Sequence, residues 1–201
     1  MPSPTAPSRA NLAVGRRRLG RAERSEAIVV AAASAFAVGG FAGTSMAEIA
    51  AAAEVSHLII YRHFDAKETI YSAVLQRAVD RLAIRFESPG AIDRFGPTAV
   101  ALLDVARADA AGFRVVWRHA IREPDFAHFV DAARDILHSC ARTALAPMVA
   151  NEIREWAVRA QVAYVLEAVL NWIEAGDPTL DDRFLDATRA ALRAGVRSWS
   201  T

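Results

Sequence analysis

The stretch from residue 40 to residue 67 constrains the fold of this chain more than any other. It contains two short segments of helical pattern, joined by a tight turn, and the start of a longer third segment. Ser45 and Glu48 form a capping-box pattern, in which each side chain accepts a hydrogen bond from an otherwise unpaired backbone N–H. Ser56 is the predicted N-cap of the second segment. A helix, a turn and a second helix with polar and aromatic side chains predict a helix-turn-helix that reads DNA.

Several short motifs in this stretch also carry a family resemblance. The most specific is Ile60-Tyr61-Arg62-His63-Phe64 followed by Lys67, and it is preceded by Gly40-Phe41, Thr44-Ser45, Ile49-Ala50 and Val55-Ser56. With these motifs, residues 22–75 resemble the N-terminal domain of the TetR family of bacterial transcriptional regulators. Beyond Leu75 the resemblance is one of length and helical character only.

Helical periodicity continues through the rest of the chain, with no alternating pattern that would indicate strands. We expect an all-α fold. By resemblance, an N-terminal three-helix helix-turn-helix DNA-binding domain is joined to a C-terminal helical bundle for ligand binding and dimerisation. The expected divisions are a disordered basic arm, the DNA-binding domain and the regulatory domain, at residues 1–20, 21–66 and 67–201.

The predicted helices after residue 20 follow from apolar spacing and from Gly and Pro stops. We expect Gly112 to separate two helices, and Thr179 with Asp182 to cap the last one. The expected helical ranges are 23–38, 67–86, 97–110, 113–121, 126–146 and 151–175, followed by the final helix.

Composition limits the remaining possibilities. The chain has 201 residues and a net charge of +1, so affinity for nucleic acid would require local clusters of charge. Cys140 is the only cysteine, which excludes an internal disulfide and a cysteine-based zinc site. No apolar run is long enough to span a membrane and no signal-peptide core is present. We therefore expect a soluble, cytoplasmic protein that does not associate with membranes.

The basic residues near the N-terminus have two interpretations. They could form a flexible arm that reaches phosphates or an A·T-rich minor groove, or they could be a solvated tail. Lys67 is the only lysine, so the abundance of arginine also fits a coding bias. The candidate arm residues are Arg16, Arg17, Arg18 and Arg21.

The resemblance implies which residues contact DNA. Residues at the start of the second helix would meet base edges, while others would contact the backbone. His57 is the main polar candidate for base readout, because Leu58 and Ile59 can only contact a thymine methyl. We therefore predict T-containing half-sites. Glu54 lies where the family usually has Gly. The full set is Thr44, Ser45, Ala47, Ser56, His57, Leu58, Ile59, Tyr61, His63 and Lys67.

The C-terminal half contains no catalytic or metal-ligating pattern, and we expect neither an enzyme nor a cofactor. The resemblance implies a pocket for a small apolar or amphipathic effector of unknown identity. The aromatic and polar residues that could line this pocket also fit an ordinary hydrophobic core. They are Phe86, Trp117, His138, Cys140, Tyr164, Asn171 and Trp172.

The resemblance also places a homodimer interface on the last two helices. Two-fold symmetry would double the base pairs that one short helix reads on a palindromic operator. The candidate interface residues are Ile153, Trp156, Ala160, Ala163, Leu185, Leu192 and Val196. The resulting hypothesis is a repressor that a small molecule releases from DNA. The alternatives are an effector-independent DNA-binding dimer, a helical-bundle enzyme with a degenerate reader, and a regulator controlled by a protein partner.

Overall fold

A computed structural model of the chain describes residues 20–87 and 95–199. This part of the chain is helical, and its connections are short turns with three short 3₁₀ segments and one π-helical turn. Its α-helices, in chain order, are α1 (Arg21–Gly39), α2 (Met46–Ala52), α3 (His57–His63), α4 (Lys67–Glu87), α5 (Phe95–Ala108), α6 (Ala110–Arg114), α7 (Ala127–Leu145), α8 (Asn151–Ala175) and α9 (Asp181–Trp199).

The first three helices form a small bundle around the apolar stripe of α1. Ile28, Ala32 and Phe36 recur every four residues and are almost completely buried. Ile49 of α2 and Ile60 of α3 are fully buried in the same core. Ile60 therefore faces inward, and α1 holds the helix-turn-helix in place.

Helix α4 joins this bundle to the rest of the molecule. Its inward face is apolar, because Ile70, Val74, Leu82 and Phe86 are all buried. Helices α5, α7 and α8 pack against one another, α5 and α7 also pack against α4, and α9 covers α5 and α8. The described residues thus form one continuous hydrophobic core.

An aromatic cluster joins the N-terminal bundle to the C-terminal helices. Phe36 and Phe41 contact Tyr71 of α4, with ring centroids 4.8 and 5.1 Å apart. Phe126, just before α7, lies 5.1 Å from Phe41 and 4.8 Å from Tyr71. The cluster therefore includes side chains from both halves of the chain.

The expected break at Gly112 is wrong, because this residue lies inside α6. Asp109 caps the helix, and its carboxylate accepts a hydrogen bond from the Gly112 backbone N–H at 3.0 Å. A Cβ at Gly112 would lie 2.8 Å from the Asp109 carboxylate, so glycine fits this close approach. The chain continues through a π-helical turn, Val115–His119, and two 3₁₀ segments before α7.

The predicted range of α8, residues 151–175, agrees with the structure. The expected cap of the last helix, Thr179 with Asp182, does not agree with the structure. A short 3₁₀ segment precedes α9, and the Asp177 carboxylate accepts hydrogen bonds from the Thr179 backbone N–H and hydroxyl at 2.9 and 2.8 Å. Thr179 is therefore the donor in this turn, because Asp177 supplies a stronger acceptor. In the described part of the chain, no helix has the length and apolar character needed to cross a membrane.

Candidate nucleic-acid interface

The first helix of the helix-turn-helix is fixed by the predicted capping box. The Ser45 hydroxyl accepts a hydrogen bond from the Glu48 backbone N–H at 3.2 Å, and the Glu48 carboxylate accepts one from the Ser45 N–H at 2.7 Å. The backbone N–H of Ser45 and its hydroxyl, at 2.8 Å, both donate to this carboxylate and lower the pKa of Glu48. The exposed side chains of Ser45 and Ala47 lie at the start of α2.

The turn between α2 and α3 is made without glycine. Glu54 has a φ of 52°, in the left-handed region that side chains other than glycine rarely adopt. Its backbone N–H donates to the Ala51 carbonyl at 3.1 Å, and Val55 N–H donates to the Ala50 carbonyl at 3.0 Å. The predicted departure from glycine at this position therefore requires a strained backbone conformation.

Helix α3 presents an exposed surface of mixed character. Ser56 caps it, with its hydroxyl 3.4 Å from the Ile59 N–H. Leu58 is 70% exposed and Tyr61 is 48% exposed. The His57 ring packs edge-on against Tyr61, 4.9 Å between centroids, which limits the freedom of both side chains. Because nothing in the described protein covers them, these side chains are available to another molecule.

Ile59 differs from its neighbours on α3. It is only partly exposed and packs against the core of the N-terminal bundle. Adjacent residues on a helix point about 100° apart, so Leu58 and Ile59 cannot both face outward on the same surface. Leu58 is therefore the apolar residue that α3 exposes.

Three of the predicted contact residues are engaged inside the protein. Thr44 is 4% exposed, and its hydroxyl donates to the Gly40 carbonyl at 2.8 Å. Lys67 Nζ donates to the Phe41 carbonyl at 2.8 Å and lies 4.4 Å above the Phe41 ring. His63 Nδ1 lies 3.3 Å from the Ser25 hydroxyl. These side chains hold α1, α3 and α4 together, a role that the sequence did not reveal.

The predicted basic arm lies largely outside the described residues, which exclude Arg16, Arg17 and Arg18. Arg21 is the first residue of α1 and its side chain is exposed. It lies at the N-terminal end of the helix that packs across α2 and α3.

Ionic and polar contacts join this N-terminal bundle to the helices behind it. Arg77 of α4 lies 2.7 Å from the Glu26 carboxylate on α1 and 2.8 Å from the Asp109 carboxylate that caps α6. His119 Nε2, in the π-helical turn, is 3.1 Å from the Ala37 carbonyl near the end of α1. The preceding residue, Arg118, contacts Glu167 and Glu174 on α8. Adjacent residues of this turn thus contact α1 and α8.

The predicted effector-pocket residues do not line a single cavity. Phe86 and Cys140 line a groove of about 370 Å³ between α4 and α7. Tyr164 lines a different groove of about 240 Å³ between α8 and α9. Burial raises the pKa of Cys140, so its thiol is neutral.

The other four predicted pocket residues have separate surroundings. Trp117 is buried beside Phe113. Trp172 stacks on Phe184 and donates its indole N–H to Asp181 at 2.6 Å, while hydrogen bonding to Arg107 lowers the pKa of Asp181. Asn171 accepts from Arg118 at 3.4 Å. Partial burial, followed by the nearby charge of Arg142, lowers the pKa of His138.

The predicted dimer residues fall into two groups. Ile153, Trp156 and Ala163 are exposed along one face of α8, and Ala160 is half-buried beside them. The other three are instead buried inside the protomer, because the apolar stripe of α9 faces α5 and α8; these are Leu185, Leu192 and Val196.

Sequence reasoning missed two polar residues in the core of the C-terminal bundle. Thr98 is 8% exposed and Gln161 is 3% exposed. The available signal was periodicity, because Gln161 lies four residues after Ala157 and four before Val165 on the buried stripe of α8.

Comparison with known proteins agrees with this arrangement. The family model described as "Bacterial regulatory proteins, tetR family" matches residues 28–74, which include α2, α3 and the start of α4. A solved TetR-like transcriptional regulator from Rhodococcus sp. RHA1 superposes with a TM-score of 0.73 at 25% identity, covering 89% of this chain and 96% of that one. The chain belongs to the TetR family.

Two curated relatives differ in regulatory sign, because one is named an activator and the other a repressor. The chain is 34% identical over 125 residues to the HTH-type transcriptional activator FasR of Mycolicibacterium smegmatis, covering 59% of this chain and 57% of the relative. It is 35% identical over 131 residues to the HTH-type transcriptional repressor Rv3405c of Mycobacterium tuberculosis, covering 61% of this chain and 66% of the relative. The matched segments thus span less than two thirds of these relatives.

Proposed function

We propose that this TetR-family chain is a DNA-binding transcriptional regulator that acts as a homodimer on a palindromic operator. The observation that carries the proposal is the exposed surface of α3, with Leu58 and Tyr61 uncovered on a helix that is capped and fixed on its other face. A helix held in this way can enter the major groove, where a leucine contacts thymine methyl groups and a histidine can hydrogen-bond to base edges. We assign the reader to residues 21–66 and the regulatory bundle to residues 67–201.

Selection from a random pool of double-stranded DNA tests this proposal. We expect a two-fold symmetric consensus with thymine in each half-site. Leu58→Ser should weaken binding most at those thymines. Ala51→Ser, which changes another exposed residue of the N-terminal bundle, serves as the control. A consensus made only of G·C pairs would contradict the assigned readout, and a protein that retained no DNA would contradict the function.

The proposed homodimer interface is the exposed apolar face of α8. Ile153 and Trp156 are 40% and 58% exposed, and the Trp156 ring packs edge-on against Trp199 of α9 at 5.2 Å. The small side chains of Ala160 and Ala163 would allow a second helix to approach closely. Burial of this apolar face would stabilise a dimer through the hydrophobic effect.

Sedimentation analysis tests the interface. Ala163→Glu should produce monomers, because it places a charge in the apolar contact without changing the protomer core. Ala132→Glu introduces the same charge at an exposed position of α7 and should leave the dimer intact. A wild-type monomer at micromolar concentration would refute this part of the proposal.

We further propose that the regulator is a repressor released from DNA by a small apolar or amphipathic effector. The groove between α4 and α7 supports this, because α4 also carries the contacts to α1 through Arg77 and Tyr71. A ligand can move the DNA-binding domain only if it binds one conformation of the contacts between α1 and α4 more tightly than another. A reporter gene behind the selected operator gives the sign of regulation, and operator release by a compound tests the sensing step.

One observation favours an effector-independent dimer as the second candidate. The internal void between α5, α7 and α8 has a volume of only about 10 Å³, much smaller than a typical ligand pocket. Failure of every tested compound to alter operator binding would favour this alternative. In either case we infer a cytoplasmic location, because that is where a bacterial operator is found.

A further inference from the structure

Gln161 is a polar side chain placed at the centre of an apolar helical bundle. It is 3% exposed, and its amide oxygen Oε1 has no hydrogen-bond partner among the described residues. A buried acceptor without a partner costs about 1–3 kcal/mol. An apolar residue of similar size would remove this cost, so packing alone does not explain a glutamine here.

Gln161 lies between two spaces in the bundle. On one side it lines the internal void between α5, α7 and α8, together with Leu102, Leu137 and Val165. On the other side it lines the groove of about 240 Å³ between α8 and α9. The internal void has room for about one water molecule in this conformation.

One polar pair joins the lining of the internal void to the lining of the larger groove between α4 and α7. Thr98 lines the void, and its hydroxyl is 3.8 Å from the Cys140 thiol. Cys140 lines the groove of about 370 Å³, a volume typical of small-molecule sites. This weak contact between two small side chains is easier to displace than a packed aromatic or an ion pair.

The lining of the void defines the chemistry of a matching ligand. The polar side chains that line it are Thr98 and Gln161, and the Cys140 thiol lies next to the Thr98 hydroxyl; all three groups are neutral. A charged group would lose its hydration there without gaining a counter-ion. The unpaired Gln161 oxygen can only accept a hydrogen bond, so the ligand must provide a donor.

We propose that Gln161 Oε1 anchors a ligand site for a neutral, mainly apolar small molecule with one hydroxyl or N–H donor. The apolar body of the ligand occupies the groove between α4 and α7, and its donor reaches Gln161 when the Thr98–Cys140 pair moves aside. A role of this site in controlling operator binding rests on the proposed function, whereas ligand binding itself does not.

Three matched probes test the proposal on the full-length protein: 4-propylphenol, which has a donor; 4-propylanisole, which has only an acceptor; and propylbenzene, which has neither. Titration calorimetry should show 4-propylphenol binding about tenfold more tightly than the other two, as expected for one hydrogen bond to a buried acceptor. Gln161→Met should remove this preference and leave the thermal midpoint equal or higher. Gln76→Met, at an exposed glutamine on α4, should keep the preference.

The outcomes separate the site from the function. Equal affinity of the three probes for the wild-type protein would overturn the assigned ligand class, as would an unchanged preference in Gln161→Met. No binding of any probe would overturn the site. Operator binding, measured by fluorescence anisotropy without probes, tests the proposed function independently. Donor-selective binding without operator release would support the site and refute its role in sensing.

Discussion

The strained turn at Glu54 allows a quantitative prediction. A left-handed conformation costs a residue with a side chain about 1–2 kcal/mol, and Glu54 adopts it with a φ of 52°. Glycine removes this cost but increases the freedom of the unfolded chain, which costs about 0.4–1 kcal/mol. We therefore expect Glu54→Gly to be more stable than Glu54→Ala by about 0.5–1 kcal/mol.

Glu54→Ala is the required reference because Glu54 makes a further interaction in the protein. Both variants remove the Glu54 side chain beyond Cβ, but only alanine keeps the backbone strain. For a chain of this size, the expected difference is roughly 1–4 °C in the thermal midpoint. Calorimetry and urea unfolding at equal protein concentration would measure it. If Glu54→Ala is equally stable or more stable than Glu54→Gly, the strain argument is refuted.

Three further predictions concern the DNA-binding domain and its contacts with α4. Tyr71→Phe should maintain or raise stability, because the buried Tyr71 hydroxyl has no partner in the described protein. Burial raises the pKa of Tyr71, so its contribution to stability should fall as the pH rises above about 10 in urea titrations, and Tyr71→Phe should remove that dependence. Lys67→Met should lower the free energy of unfolding, measured by calorimetry, by about 1–2 kcal/mol, because it removes the contacts of Lys67 with Phe41. If Lys67 acted only on DNA phosphate, the substitution would leave stability unchanged. Leu58→Ala should weaken operator binding about tenfold in fluorescence anisotropy without altering the thermal midpoint, and unchanged affinity would exclude Leu58 from the interface.

The local parts of the fold could be predicted because their causes lie close together in the sequence. The Ser45–Glu48 capping box and the Ser56 cap each join residues three positions apart. The range of α8 follows from an uninterrupted helical pattern that ends before Gly176. Interactions of this kind are visible in a single short window of sequence.

The remaining features depend on contacts between distant residues. Lys67 reaches a carbonyl 26 positions away, so its structural role is invisible in the pattern around it. Glycine at position 112 indicates a break, but Asp109 is the stronger local signal, because its carboxylate caps the helix that contains Gly112. The predicted pocket residues were selected by type, but only helix packing decides whether Phe86 and Tyr164 face the same space.

The aromatic cluster sets a condition for any attempt to exchange parts between relatives. Phe36 is completely buried because Tyr71 covers it, and Phe41 lies between Tyr71 and Phe126. A fragment that ended before α4 would expose the side of its own core that these rings close. A functional chimera therefore needs a donor bundle with aromatic side chains at both covering positions, and compatibility at those two sites should matter more than overall identity.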